Sequence, residues 1–294
     1  MIVITTPTGQ IGRHVVRHCL DHEEPIRVIA RDPSHLPGAI RDRVQVVRGS
    51  HGDASVVDEA LAGADALFWL VPPDPKTKSV EAAYLDFTRP ACEAIRRHGV
   101  ARVVDVKALA GGTRWAEHAG LASVSQRMDE LIAAMGVALR SLAAPAFMDN
   151  MLMQRQSILE KGTFFGPIDA DRSMPQIATR DIGAVAARLL SDRSWSNQAD
   201  VPLLGPEDLS FNDMAAIMTE VLGTPIRYQQ VPFNAFEAQL GDRGMSASFV
   251  RGFVDMMRAK NEGLDNAQPR TADATTPTTF RQWCEQALTT AAEK

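Results

Sequence analysis

Short apolar, β-branched runs punctuate the first half of the chain, and each stops at glycine, proline or a charged residue. Ile2 to Thr5, Pro25 to Ala30, Val44 to Arg48, Ala66 to Val71, Ala101 to Lys107 and Val137 to Leu142 read as strands. Between them the apolar positions switch to a spacing of three and four. Ile11, Val15 and Val16 open one such face, and Val56, Val57, Ala60 and Leu61 make another. A long amphipathic segment runs from about Thr77 to His98 and ends at Gly99, where a glycine commonly closes a helix; another helix is expected over Ser123–Met135. Strands apolar along their whole length, alternating with helices, predict a parallel sheet covered on both faces. The fold class expected is therefore α/β, a doubly wound, Rossmann-like sheet.

Past Pro145 the pattern becomes mostly helical. Helices are expected at about 149–161, 180–191, 211–222, 233–240, 247–262 and 278–291, with short strands near 201–204 and 226–231. Ser210 and Asp213 have the spacing of a capping box. Stretches rich in Pro, Gly and Asp at 162–174 and 266–277 read as loops. The chain thus divides into a sheet domain over 1–150 and a smaller substrate or lid region over 151–294, expected to pack on the sheet's carboxyl edge.

Composition narrows the function. A net charge of −5 with dispersed arginines argues against direct nucleic-acid binding. The three cysteines, Cys19, Cys92 and Cys284, have neither paired nor metal-ligand spacing, which suits a reducing compartment, and no metal is expected. No apolar run reaches the roughly 18 residues of a membrane span, and residues 1–20 read as strand and helix. The expectation is a cytoplasmic monomer or homodimer acting on a small molecule.

Candidate chemistry begins at the first turn. Thr5-Thr6-Pro7 ends a strand, Gly9 and Gly12 follow, and a helix starts at once. Such a turn leaves backbone N–H groups free at the positive end of a helix dipole, a seat for phosphate. Arg31 ends the second strand, where an acidic residue would hold the ribose of NAD. A guanidinium there suits the 2′-phosphate of NADP, and Arg13 could share it. Lys107 ends the fifth strand on the same face as Asp105, so it could pair with that carboxylate and polarise a substrate in a nicotinamide pocket. His118, in the following loop, is a candidate proton donor. Val71-Pro72-Pro73 and Pro145-Ala146-Phe147 follow strands four and six and are expected to line the nicotinamide half of a cofactor. Phe147, Met148, Met151, Met153, Phe164 and Phe165 form either an apolar substrate wall or ordinary core.

Several segments together resemble the NmrA-like branch of the atypical short-chain dehydrogenases/reductases. They are Thr8-Gly9-Gln10-Ile11-Gly12, Ala30 to Pro33, Pro145 to Asn150, Ala178 to Ala186, Leu204 to Phe211 and Pro277 to Phe280. The resemblance implies NADP(H) as cofactor, held by Thr6, Thr8, Gly9, Gln10, Ile11, Gly12, Arg31 and Ser50. It also implies either reduction of quinones and other flat conjugated carbonyls or redox sensing without turnover. The chain departs from the family pattern. Thr6 stands at the first glycine, Ser50 where an aspartate lies beside the adenine, a role that His51 or Asp53 could take instead, and Lys107-Ala108 where Ser or Thr follows the fifth strand. The chain has two tyrosines, Tyr84 and Tyr228, followed four residues on by Thr88 and Pro232, so no tyrosine-lysine dyad of the usual YxxxK spacing exists. The function expected is an NADPH-dependent oxidoreductase working without that dyad. The alternative is a non-redox role on the same fold, either dinucleotide sensing or acid-base chemistry by Lys107 such as cyclisation or isomerisation.

Overall fold

A computed structural model describes residues 1–289. The elements of the first half are β1 (Ile2–Ile4), α1 (Gly12–Asp21), β2 (Ile26–Ala30), α2 (Gly38–Arg41), β3 (Gln45–Arg48), α3 (Ala54–Leu61), β4 (Ala66–Trp69), α4 (Phe87–His98), β5 (Arg102–Ala108), α5 (Leu121–Ala133) and β6 (Ala138–Ala144). One seven-stranded sheet carries the order β3-β2-β1-β4-β5-β6, with Ala199–Pro202 beyond β6. The β1–β2, β1–β4, β2–β3 and β4–β5 pairs are parallel. β1 and β4 are buried at every position, as expected of central strands sandwiched between helices. Their order reverses here, and open α/β sheets bind ligands in the crevice that such a reversal leaves at the strands' carboxyl ends. Thr5 fastens this point: its Oγ1 donates to the Phe68 carbonyl and accepts from the Leu70 N–H, both at 3.0 Å.

The expected long helix over 77–98 is shorter and irregular. A π-type turn at Ala82–Asp86 leads into α4, which contains Pro90. Pro90 has no N–H for the Asp86 carbonyl, and its ring crowds that carbonyl, so the backbone widens there. Gly99 ends α4 in the left-handed conformation at φ 64°.

Contacts group the residues into two units. Among the described residues, one comprises 1–107, 124–143 and 182–201; the other 108–123, 144–181 and 202–289. Where the sequence suggests a single boundary near 150, the chain passes repeatedly between the units. Within the second unit Met148, Met151, Ile158, Phe164, Met214, Met218, Phe280 and Trp283 form one buried cluster. Met148, Met151 and Phe164 are therefore core and no substrate wall, while Met153 is 80% exposed. Thr163–Gly166, expected as loop, pairs in parallel with Arg227–Gln230. Met174–Ile177, at the end of the same expected loop, pairs with Ala146–Phe147 and Asp208–Leu209. The capping box forms as expected: Ser210 Oγ accepts from the Asp213 N–H, and Asp213 accepts from the Ser210 N–H. The helix expected over 278–291 spans Phe280–Ala287, and positions 290 and 291 lie outside the described residues.

Candidate functional site

The turn between β1 and α1 is tight because of what it lacks. A Cβ on Gly12 would lie 2.0 Å from the Thr6 carbonyl oxygen, so only glycine lets the helix start that close to the strand. The Gly9 N–H donates to the same carbonyl at 2.9 Å. Among the described residues, no acceptor pairs with the N–H groups of Thr8, Gln10, Ile11 or Gly12. They cluster at the positive end of the ten-residue helix α1, and Ile11 at its N-cap supplies no side-chain cap. Thr6, at the position of the missing glycine, adopts φ 51°, a left-handed conformation that costs a residue with a Cβ about 1–3 kcal/mol. Its Oγ1 is buried without a partner among the described residues. A free set of backbone donors, a close glycine approach and an orphaned hydroxyl fit a pyrophosphate group.

Arg31 is exposed just past β2. Its neighbour Asp32 could have taken the ribose-binding role of an acidic residue. Instead its Oδ1 accepts from Ser34 N–H at 3.0 Å and from Ser34 Oγ at 2.7 Å, capping the short 3-10 turn Pro33–His35. These two hydrogen bonds, strongest from the Ser34 hydroxyl, hold the Asp32 carboxyl below its usual range. Arg31, beside it, is exposed with no ion pair or hydrogen bond among the described residues.

After β3, Ser50 Oγ accepts from the Gly52 N–H at 3.2 Å and so is used inside its own turn. His51 points inward. Its Nε2 donates to the Leu70 carbonyl at 3.0 Å, and its ring meets Trp69 and Phe87 edge-on with centroids 5.1 and 4.8 Å apart. Burial, with the Arg31 charge adding to it, lowers His51 to about 4, so the ring is neutral at pH 7. Asp53 is exposed.

Lys107 lies at the end of β5 as expected, but its expected pairing with Asp105 does not form. The ammonium donates to Asp129 of α5 at 2.8 Å and contacts Asp200 at 2.7 Å. Burial works against the charge, yet these two carboxylates outweigh it and raise the Lys107 pKa. Asp129 also accepts from the Ser141 hydroxyl. The reason Asp105 is bypassed is reach: it lies two residues deeper in the sheet, fully buried, with neither carboxyl oxygen hydrogen-bonded. Burial first, then the Asp129 charge, push Asp105 well above the usual carboxylate range, with Lys107 only partly opposing. It is held as the neutral acid. Asp129 was legible in principle, since it falls between Met128 and Ile132 on the buried stripe of α5, where a carboxylate needs a cation. Asp200, on a half-polar edge strand, carried no such signal.

A carboxyl whose folded pKa is raised gives the native state its full stability below the ordinary value near 4 and loses it as pH rises, because the unfolded chain ionises first. Asp105→Asn should thus be more stable than wild type at pH 7. The gain should vanish below about pH 4. Urea denaturation at both pH values checks this, and an equal or lower midpoint at pH 7 would contradict it.

Val71 is buried, Pro72 exposed and Pro73 half-buried beyond β4. The turn, Arg31, Ser50, Val71 to Pro73 and Lys107 all belong to the sheet unit. His118, Pro145 and Phe147 belong to the other. His118 is exposed in the loop after β5, Pro145 is buried, and Phe147 is half-buried in a short strand paired with Ile177. The three cysteines are buried, and burial pushes Cys19, Cys92 and Cys284 up to about 12, 11 and 12, which leaves them unreactive thiols.

Comparison with known proteins bears on this geometry. The family model described as "NmrA-like family" matches residues 1–285. The chain belongs to the NmrA-like family. An NAD(P)H azoreductase of Xenophilus azovorans is 29% identical over 252 residues, covering 85% of this chain and 84% of the relative. Quinone oxidoreductase 2 of Escherichia coli strain K12 is 23% identical over 265 residues, covering 90% and 87%. Among solved structures, an NADPH-dependent quinone oxidoreductase of E. coli complexed with NADPH aligns with TM-score 0.78 at 22% identity, over 96% of this chain and 98% of that one. The triphenylmethane reductase of Citrobacter sp., complexed with NADP(H), aligns with TM-score 0.79 at 21% identity, over 98% and 100%.

The NmrA-like segments have visible structural work. In Ala178 to Ala186, a Cβ on Gly183 would lie 2.4 Å from the Cβ of His14, so this glycine lets its helix touch α1. Asp149 of the Pro145 to Asn150 segment accepts from the Thr179 N–H at 2.9 Å, and Asp181 accepts from Thr278 N–H at 3.0 Å and Oγ1 at 2.7 Å. Asn150 is exposed.

Proposed function

We propose that this protein is an NADP(H)-dependent reductase of small conjugated molecules, quinones and azo compounds being the first to test. The observation that carries the reading is the β1–α1 turn: unpaired backbone donors at a helix N-terminus, with Arg31 free and Asp32 tied into its own turn. Family membership and relatives that reduce azo compounds and quinones support the redox half. The bound cofactor supplies hydride. The N–H groups of Thr8, Gln10, Ile11 and Gly12 hold its pyrophosphate, Arg31 takes the 2′-phosphate, and the strand ends at Val71 to Pro73 shape the ring pocket. An ammonium has three donors, and Lys107 uses two on Asp129 and Asp200, which leaves one for substrate. A conjugated acceptor suits this site, because hydride goes to carbon and the charge spreads, so positioning and electrostatic help suffice.

Titrating NADPH fluorescence with protein, then following NADPH loss with a naphthoquinone and an azo dye, tests the reading. Binding with turnover is the expected outcome. Binding without turnover of any acceptor would favour a dinucleotide sensor, a role to which the doubly paired Lys107 would be no obstacle. No binding would sink the cofactor assignment.

Cofactor choice gives a sharper test. Arg31→Ala should weaken NADPH binding about tenfold or more, as loss of a charge-assisted contact of roughly 1.5–3 kcal/mol requires, and leave NADH nearly unchanged. Equal affinity of wild type for NADPH and NADH would contradict it.

A further inference from the structure

The two tyrosines have opposite surroundings. Tyr228 is used structurally: its hydroxyl donates to the Ile168 carbonyl at 2.8 Å and its ring stacks on Phe211 with centroids 4.5 Å apart. Tyr84 is half-buried, and among the described residues its hydroxyl has no partner. Burial alone pushes that phenol up to about 12, so it keeps its proton at any physiological pH. The hydroxyl oxygen is not among the fully buried unpaired atoms, so it keeps contact with solvent and its donor is open to an incoming ligand.

Its place in the fold says what that could be. Tyr84 sits in the π-type turn Ala82–Asp86 that Pro90 imposes at the start of α4. One turn later Thr88 Oγ1 accepts from Trp69 Nε1 at 3.2 Å, and Phe87 packs on the His51 ring. Residue 84 lies one turn before Thr88, whose side chain meets Trp69 of the sheet, and therefore nearer the sheet's carboxyl edge. Trp69 ends β4 in register with Asp105 of β5, so Val71 and Lys107 come next along the two chains. Tyr84 thus stands in the turn leading into α4, beyond the carboxyl end of β4 and next to the order reversal where ligands of such sheets bind.

We propose that Tyr84 is a catalytic residue which donates a hydrogen bond to the substrate oxygen. This rests on the reductase reading above. When hydride adds to a quinone, its electron pair comes from the reduced nicotinamide, negative charge develops on the carbonyl oxygen, and water supplies the balancing proton. The Tyr84 O–H holds that oxygen and keeps its own proton, as its raised pKa requires. It supplies by a different route the hydrogen bond that the absent YxxxK dyad would have given.

Tyr84→Phe removes one oxygen and keeps the ring. With naphthoquinone as acceptor, we expect turnover to fall on the order of 10²-fold with KM little changed, since the contact strengthens as charge develops. Thermal stability should be equal or higher, because no partner is stranded, and the NADPH dissociation constant should stay within about twofold. Unchanged turnover would overturn the inference. So would a fall in turnover accompanied by lower thermal stability, which marks a structural role, or by weaker NADPH binding, which marks a cofactor contact. A wild-type protein that reduces no quinone would overturn the reductase reading itself, and this inference with it. Wild-type turnover matched by Tyr84→Phe would overturn the inference alone.

Discussion

Gly12→Ala is expected to lower NADPH affinity by 10²-fold or more, about 2.7 kcal/mol, and to destabilise the fold by roughly 1–3 kcal/mol. The added Cβ would meet the Thr6 carbonyl oxygen at 2.0 Å, its carbon at 2.7 Å and the Thr5 carbonyl oxygen at 3.1 Å. These are backbone atoms. The Thr6 carbonyl is tied to the Gly9 N–H, and Thr5 bridges β1 to β4, so neither can swing aside. Helix α1 must therefore back away from the strand and take its free N–H groups with it. Gly9→Ala makes an internal control: its Cβ would lie 3.3 Å from the Thr6 oxygen, which a shift of a few tenths of an ångström relieves. Fluorescence titration and urea melts of both variants check the pair. Wild-type NADPH affinity in Gly12→Ala would remove the phosphate-binding role from this turn.

Lys107→Met should cost about 3–5 kcal/mol of folding stability, because it strands the buried Asp129 carboxylate beside Asp105. Asp200 contributes less. Its side chain is 52% exposed and can turn its charge to water. Lys107→Met combined with Asp129→Leu should recover most of the loss, since replacing both partners of a buried pair by apolar groups is often neutral. The sign of the pH dependence is fixed by the raised lysine pKa. The pair's contribution is fully present below about pH 10, the ordinary value, and is lost only as pH rises through the higher native one. The gap between wild type and Lys107→Met should therefore be flat from neutral pH to about 10 and shrink above it. In the folded double variant, a turnover drop on the order of 10²–10³ would mark Lys107 as an electrostatic donor to substrate. Wild-type turnover there would make the lysine purely structural.

Local chemistry made much of this protein legible. β1 and β4 read as strands because their residues form short apolar runs, and the structure buries every position of both. The Ser210 capping box and the Gly99 helix end are contained within one turn of chain, so their sequence signals hold whatever the rest of the fold does. The doubly wound order followed from alternation, and the glycines of the first turn followed from their place between strand and helix. Thr163–Gly166 reads as loop by its own composition, because its pairing partner, Arg227–Gln230, lies far along the chain. The Phe and Met residues after Pro145 were ambiguous because an apolar wall and an apolar core have the same composition.

By itself, the sequence determined the α/β class, the family and the absence of a YxxxK dyad, since these depend on residue identity and short-range spacing. Only the tertiary structure decided which groups face each other. Asp129, placed opposite Lys107 by α5 packing on the sheet, displaced Asp105 as its partner. Asp32 went to Ser34, which leaves Arg31 without a carboxylate partner, and His51 turned inward to the Leu70 carbonyl. Pro90 widened the turn that carries Tyr84. The reason is the same in each case: a charge or hydroxyl in a low-dielectric interior takes whichever partner the packing brings within hydrogen-bond reach, and spacing along the chain does not encode that distance.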